Sequence, residues 1–338
     1  MRGLASFAMH GRFRALLLVV ASAGSLLFAW IAAAVLALVT LRKGYQEGLW
    51  LLLWASLPGL VLAQVTGDTS ALALVLGTAL LAQALRATVD MALTALLSAA
   101  VAVLTGVLLL GFGEPMLDEM SRIFARLSLA LEEQAGPGQG GALALRAPSR
   151  VQLAGMMGVA NGVLSFLCLV LARYWQAALY NPGGFGAEIR ALRFPPALVW
   201  VLGIGALVIA SVDIQWRSWG GALLLPLTIA GFALLHARAK YRGQGSFWLS
   251  GIYVAWLVFD AAKLALVGLV LADALLDLRS RWARAGQTPT ASPGEASDAA
   301  QRSVQSTHRR PQEKTAREPA DSDADSSKDS SDDRRDRQ

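Results

Sequence analysis

The 338-residue chain is 55% hydrophobic and only 16% charged, with a mean hydropathy of +0.48 and a formal net charge of +6. Soluble domains carry about 25% charged residues, so this composition excludes an ordinary soluble fold. Residues 286–338 hold 9 Lys/Arg and 11 Asp/Glu, which leaves 21 basic and 13 acidic residues in 1–285. A basic excess in so apolar a chain points to loops facing anionic lipid, not to nucleic acid.

The N-terminus opens with Arg2, Arg12 and Arg14, followed by an apolar run over 15–41. A signal peptide has an apolar region of about 7–15 residues, so this longer run reads as a retained anchor. Further apolar runs cover 48–64, 70–85, 88–111, 151–173, 196–212, 219–237 and 247–277. None shows period-2 alternation, which excludes an outer-membrane barrel. In lipid the backbone must then satisfy itself, and helices are the remaining solution. The expected fold is an all-α polytopic transmembrane bundle over 1–285, with about eight apolar segments. It rises to as many as ten helices if the two longest runs break, at Gly24/Ser25 and near Asp260. Charge bias favours those breaks. With both runs turning back, Arg42/Lys43, Arg190/Arg193, Arg238/Lys240/Arg242 and both termini become cytoplasmic, and the loop 66–69 lies outside. The expected location is the bacterial cytoplasmic (inner) membrane.

The insert 112–150 is too polar to span. Leu117, Met120, Ile123, Phe124, Leu127 and Leu131 recur at helical spacing, with Asp118, Glu119, Arg122 and Arg126 elsewhere. This predicts an amphipathic helix that packs on the bundle or lies on the membrane surface. The glycine-rich stretch 135–141 predicts a flexible break. From about Gly286 the chain is rich in Ser, Asp, Arg and Pro, and it lacks the apolar surface to offset ordering entropy. It is predicted to be a disordered charged tail.

Reactive chemistry is sparse. Cys168 has no partner for a disulfide, and His10, His236 and His308 lack metal-ligand spacing. No nucleophile–base pair, His-Glu-x-x-His or phosphate-binding loop is present. The expectation is therefore no catalytic residue, no cofactor, no metal and no enzyme activity. The densest polar signal is the segment 172–190, in which Tyr174, Trp175 and Tyr180 fit an interfacial aromatic belt. Asn181-Pro182-Gly183-Gly184 is a helix stop. A loop that positions a ligand or partner would use Arg173, Asn181, Glu188 and Arg190 as its polar groups, with Phe185 and Gly186 between them. Asp260 and Lys263 form the second candidate. Three residues apart, they share a helix face. They read as a structural ion pair, as a polar substrate or proton site, or as a helix break near the interface. Asp90 beside Arg86 reads as a helix-end charge, and Pro58 and Pro226 as helix kinks.

The segment Ala172–Pro196, ARYWQAALYNPGGFGAEIRALRFPP, resembles the hallmark of the YybS-like bacterial membrane proteins, described as domain of unknown function 2232. The stretches 1–14, 41–44, 247–253 and 276–279 resemble the same family, so that the likeness covers 1–282 without the tail. This family is similar, remotely, to the S-components of energy-coupling-factor transporters, helical bundles that bind vitamins or metals and dock on a shared ATPase module. The resemblance implies a solute-binding or transport-related subunit, with the lipid bilayer and a membrane-protein or ATPase-module partner. It assigns no residue a role: neither a vitamin pocket nor a metal-binding N-terminal histidine pattern is recognisable, and the insert 112–150 departs from the S-component layout. The alternative expectation is a non-transporting scaffold or assembly factor of the cell envelope. Such a protein would make its contacts through the 174–195 loop, the 112–134 helix or the tail.

Overall fold

The computed structural model describes residues 2–25, 27–135 and 147–286. The chain divides into the units Met1–Gln287 and Thr288–Gln338, and only the first contains described residues. The predicted charged tail, beyond Gly286, and most of the predicted flexible break lie outside the described residues.

Those residues are helical and contain no strand. In chain order the helices are α1 (Arg2–Met9), α2 (Arg12–Ala23), α3 (Ala29–Lys43), α4 (Tyr45–Thr66), α5 (Ser70–Thr88), α6 (Met91–Phe112) and α7 (Glu114–Ala135). They continue with α8 (Arg150–Tyr180), α9 (Gly184–Ala191), α10 (Pro196–Val212), α11 (Arg217–Tyr241), α12 (Ser246–Val258), α13 (Asp260–Leu276) and α14 (Leu278–Gly286). Side chains that satisfy free backbone N–H groups set several starts. Asp90 accepts from Ala92 N at 2.8 Å and Leu93 N at 3.1 Å at the head of α6. Ser149 and Gln152 form a reciprocal capping box at the head of α8.

Five helices are long and apolar enough to cross a membrane: α4, α5, α6, α8 and α11, the last with the preceding turn at Ile214–Trp216. Two bent pairs, α9/α10 at 70° and α12/α13 at 116°, raise the number to at most seven. This corrects the expectation of about eight spanning segments. The run 15–41 breaks between Ala23 and Ala29 into helices of 12 and 15 residues. At 1.5 Å per residue, neither bridges a hydrocarbon core of about 30 Å. The run 247–277 breaks at Phe259.

The core centres on α3. Ala32 through Leu38 are all fully buried, enclosed by α2, α4, α5 and α8. A short helix of small and branched residues suits that position, because neighbouring backbones can approach on every side. The α6–α8 contact is closer still. A Cβ built on Gly162 would lie 2.8 Å from Ser98 O, and one on Gly158 would press into Ala102 O.

Side-chain contacts tie one end of the bundle together. Arg12 Nε donates to Glu47 at the start of α4 (2.8 Å). Arg86 Nη1 donates to Leu41 O at the end of α3 (2.8 Å), and Arg42 stacks on Tyr180 at the end of α8 (4.2 Å). Arg238, near the end of α11, lies over both Trp248 in the first turn of α12 and Trp282 in α14. The start of α12 and the end of α13 therefore share this end, and α12/α13 form a hairpin bent by 116° with its tip at Phe259–Asp260. The opposite end carries α7 and the 213–216 turn, and the turn is tied to the start of α8 by Gln152 Nε2 donating to Ile214 O (3.0 Å).

The predicted amphipathic helix is α7. Arg150 bonds Glu114 and Asp118, both at 2.7 Å, and Leu117 is buried with Leu109, Leu153 and Trp219. Met120 and Phe124 pack on that cluster, whereas Ile123, Leu127 and Leu131 stay exposed. Only the first half of its apolar stripe meets the bundle.

Among the described residues two non-glycine positions have a positive φ, Val89 and Asp277, and Val89 is the more strained because aspartate tolerates the left-handed region better than a β-branched residue. Val89 ends α5 with φ +54, a left-handed conformation that a β-branched side chain disfavours by about 1–2 kcal/mol. Its side chain is 79% exposed, so little packing is lost on removal. Val89→Gly is expected to stabilise the protein by about 1 kcal/mol, read as a raised melting temperature in detergent. An unchanged or lower melting temperature contradicts it.

Candidate functional site

The site grows from the turn after α8. Pro182 and Gly183, the latter with φ +91, reverse the chain so that α9 folds back beside α8. The reversal is held by Arg173 Nε donating to Glu188 (2.8 Å), with Arg173 Nη1 donating to Gln176 (2.8 Å). Tyr174 meets Phe185 edge-on at 5.9 Å. Arg173, Tyr174, Phe185 and Glu188 are thus spent on positioning α9. Asn181 accepts Gly184 N–H through its backbone oxygen, and Tyr180 is occupied by Arg42. Trp175, expected in an interfacial belt, is instead 1% exposed within the bundle. Its place on α8 turns it to the helix core, away from any headgroup region.

Beside α9 lies a cavity of about 700 Å³ walled by α8, α9, α11, α12 and α13. Val163, Phe166, Leu167, Leu224, Leu225 and Val267 give it an apolar wall, and Phe185, Gly186, Ile189 and Arg190 form one rim. Its aromatic side is built by Phe232, stacked on Tyr253 (4.9 Å) and edge-on to Trp256 (5.3 Å). Four polar side chains reach it in addition to Thr228: Arg190, His236, Tyr253 and Lys263. His236 Nδ1 lies 2.8 Å from Phe232 O, and a carbonyl only accepts, so Nδ1 carries a proton. In the neutral ring Nε2 then accepts from the Tyr253 hydroxyl at 3.2 Å.

The tertiary structure brings both sequence candidates to this cavity in part. From the 172–190 segment it takes Phe185, Gly186 and Arg190. From the Asp260/Lys263 pair it takes Lys263, whose ammonium binds Asp260 at 2.7 Å. Asp260 is 91% exposed at the tip of the hairpin and heads α13, where a negative charge suits the helix dipole. The pair sits at the helix break, its two charges are joined, and Lys263 reaches the cavity, so the geometry is compatible with all three readings of it. His236 and Tyr253 were not singled out from sequence. They lie 17 residues apart on different helices, and no local spacing marks them.

A second polar cluster lies behind α9. Asp273 is 7% exposed in its side chain and faces Arg279 at 3.5 Å and, more distantly, Arg193 at 4.0 Å. Arg193 also pairs with Asp277 at 3.0 Å, and Arg279 Nη1 donates to Arg190 O at 2.9 Å. Burial pulls the Arg279 guanidinium below its ordinary pKa, opposed first by Asp273. The cluster ties the α12/α13 hairpin to the backbone of the cavity rim. Among the described residues no group of three or more His, Cys, Asp or Glu is placed to hold a metal ion.

Fold and site together define a helical membrane protein with an apolar cavity beside the bent α12/α13 hairpin. The chain matches no protein-family model, and no curated protein or solved structure matches it.

Proposed function

We propose that this protein is a solute-binding, transport-related subunit of the bacterial cytoplasmic membrane, and that its solute occupies the cavity between α8, α9, α11, α12 and α13. The observation that carries this reading is the cavity itself. Protein interiors pack with few voids larger than a water molecule. A space of about 700 Å³ with an apolar wall and a few convergent polar groups has the size and lining of a small-molecule site. The bent α12/α13 hairpin as one wall agrees with transport proteins, where broken helices border the binding site. The likeness of 172–196, with that of 1–14, 41–44, 247–253 and 276–279, to the YybS-like family, and through it to S-components, points the same way.

The arrangement of charge supports an orientation. Arg12, Arg42, Arg86, Arg193 and Arg238 lie at the bundle end that holds the start of α2 and the end of α13. By the positive-inside rule we assign that end, with both termini, to the cytoplasm. There the 174–195 segment faces any ATPase-module partner.

The test is purification of the full chain in a mild detergent, followed by mass spectrometry for proteins and small molecules, beside Val163→Trp, which fills the cavity. One enriched metabolite, lost in Val163→Trp, is the expected result. No enriched molecule, with envelope proteins in stoichiometric amount, overturns the reading. That outcome would favour a scaffold, for which the exposed Leu127, Leu129 and Leu131 of α7 are the specific supporting observation.

A further inference from the structure

We infer that the cavity takes a long-chain anionic amphiphile: one hydrocarbon chain along α11, with a carboxylate or phosphate head at the Arg190 guanidinium, at the end of the slot where His236 and Tyr253 pair with each other. This rests on the solute-binding reading above and names the substrate class.

Shape carries the first half. The lining positions on α11 run from Gly221 to His236, and those on α8 from Val159 to Val170. At 1.5 Å per residue these stretches measure about 22 Å and about 16 Å. A slot of this length, with about 700 Å³ for a ligand, accommodates an extended hydrocarbon chain. The wall along its length is aliphatic and aromatic, with Thr228 the one hydroxyl that α11 adds to the lining, and that hydroxyl is turned back to Leu224 O (2.9 Å).

Charge carries the second half. Lys263 is neutralised by Asp260. Arg190 has its backbone oxygen engaged by Arg279, but no carboxylate among the described residues pairs with its guanidinium. That guanidinium lies over Gly186, where an added Cβ would stand 2.9 Å from Nη1, so the missing side chain makes room for it at the cavity rim. His236 and Tyr253 sit at the same end of the slot, on the last turns of α11 and the facing part of α12. One unpaired cation at the polar end of an apolar slot recognises an anionic head, with the planar guanidinium suited to carboxylate or phosphate.

The experiment uses the full chain in nanodiscs of uncharged lipid, titrated with brominated octadecanoate, whose bromines quench nearby indoles. Trp256 lines the slot and is the reporter. Expected are saturable quenching that is absent in Trp256→Phe and in Val163→Trp, and about tenfold weaker binding in Arg190→Gln. The methyl ester, which lacks the charge, should bind as weakly to the native protein. Competition by octadecyl phosphate or by octadecanoate then shows which head is preferred, and either answer supports the inference. Equal binding of acid and ester, unaffected by Arg190→Gln, overturns the anionic head and leaves a cavity site standing. Quenching that never saturates, while a polar metabolite co-purifies and is lost in Val163→Trp, overturns the substrate class but keeps solute binding. With neither a saturable chain nor a metabolite, both readings fall.

Discussion

Asp273→Ala is expected to destabilise the membrane unit by about 3–5 kcal/mol, the usual loss when one partner of a buried ion pair is removed. The substitution strands the Arg279 guanidinium, only 13% exposed, opposite a void. Arg193 does not take over, because it is a cation too, is 41% exposed and already holds Asp277. Asp273→Leu combined with Arg279→Leu should recover most of the loss, since neither charge is then left buried alone. Chemical unfolding of the single and double variants in one detergent measures this, and their non-additivity isolates the pair. Asp273→Ala unfolding at the native midpoint would show that the pair contributes nothing. Because Arg279 also donates to Arg190 O, the damage should extend to the cavity rim.

Acid should act on the same corner. Asp277 is held below the ordinary carboxylate range, first by the Ser280 hydroxyl and then by Arg193. A depressed carboxylate adds stability above its unfolded pKa and loses it as pH falls through the lower folded value. Asp277→Asn should therefore flatten the acid limb of the stability curve and leave the neutral region nearly unchanged.

Gly158→Leu carries the other large effect. Gly→Ala in a helix gains up to about 1 kcal/mol of propensity. At Gly158 the added atoms meet Ala102 O and the Gly106 backbone (3.0 Å to N). Backbone does not swing aside as a flexible side chain does. The helices must part, and overpacking costs about 1–3 kcal/mol or more. Gly158→Ala should already be destabilising despite its propensity gain, and Gly158→Leu should fail to yield a monodisperse protein. Gly111 provides the control: nothing lies within 4 Å of its missing Cβ, so Gly111→Ala should be neutral or stabilising. Equal melting temperatures for Gly158→Ala and Gly111→Ala would refute close α6–α8 contact as the cause.

Periodicity and length made the helical membrane class legible, because any chain this apolar must satisfy its backbone internally. Local chemistry was legible as well. Asp90 caps α6, Pro182 and Gly183 turn the chain, Gly24 and Ser25 mark the break after α2, and α7 shows its amphipathic stripe. These features depend on residues within a few positions of one another. Span counting failed where it relied on total run length. In the run of 27 apolar residues the break itself was marked, but only the length of each half and the burial of α3 on all sides show that neither half is a crossing.

Sequence alone determined the solvent this chain requires, the positions of its turns and caps, and the sparseness of reactive side chains. Only the tertiary structure decided which polar groups meet. Arg190, His236 and Tyr253 come from three separate helices, and Asp273 finds Arg193 across 80 positions of chain. Helical spacing governs contacts three or four residues apart, whereas helix packing governs contacts between elements. The cavity belongs wholly to the second kind, since an empty volume is the absence of side chains that no single segment was placed to supply.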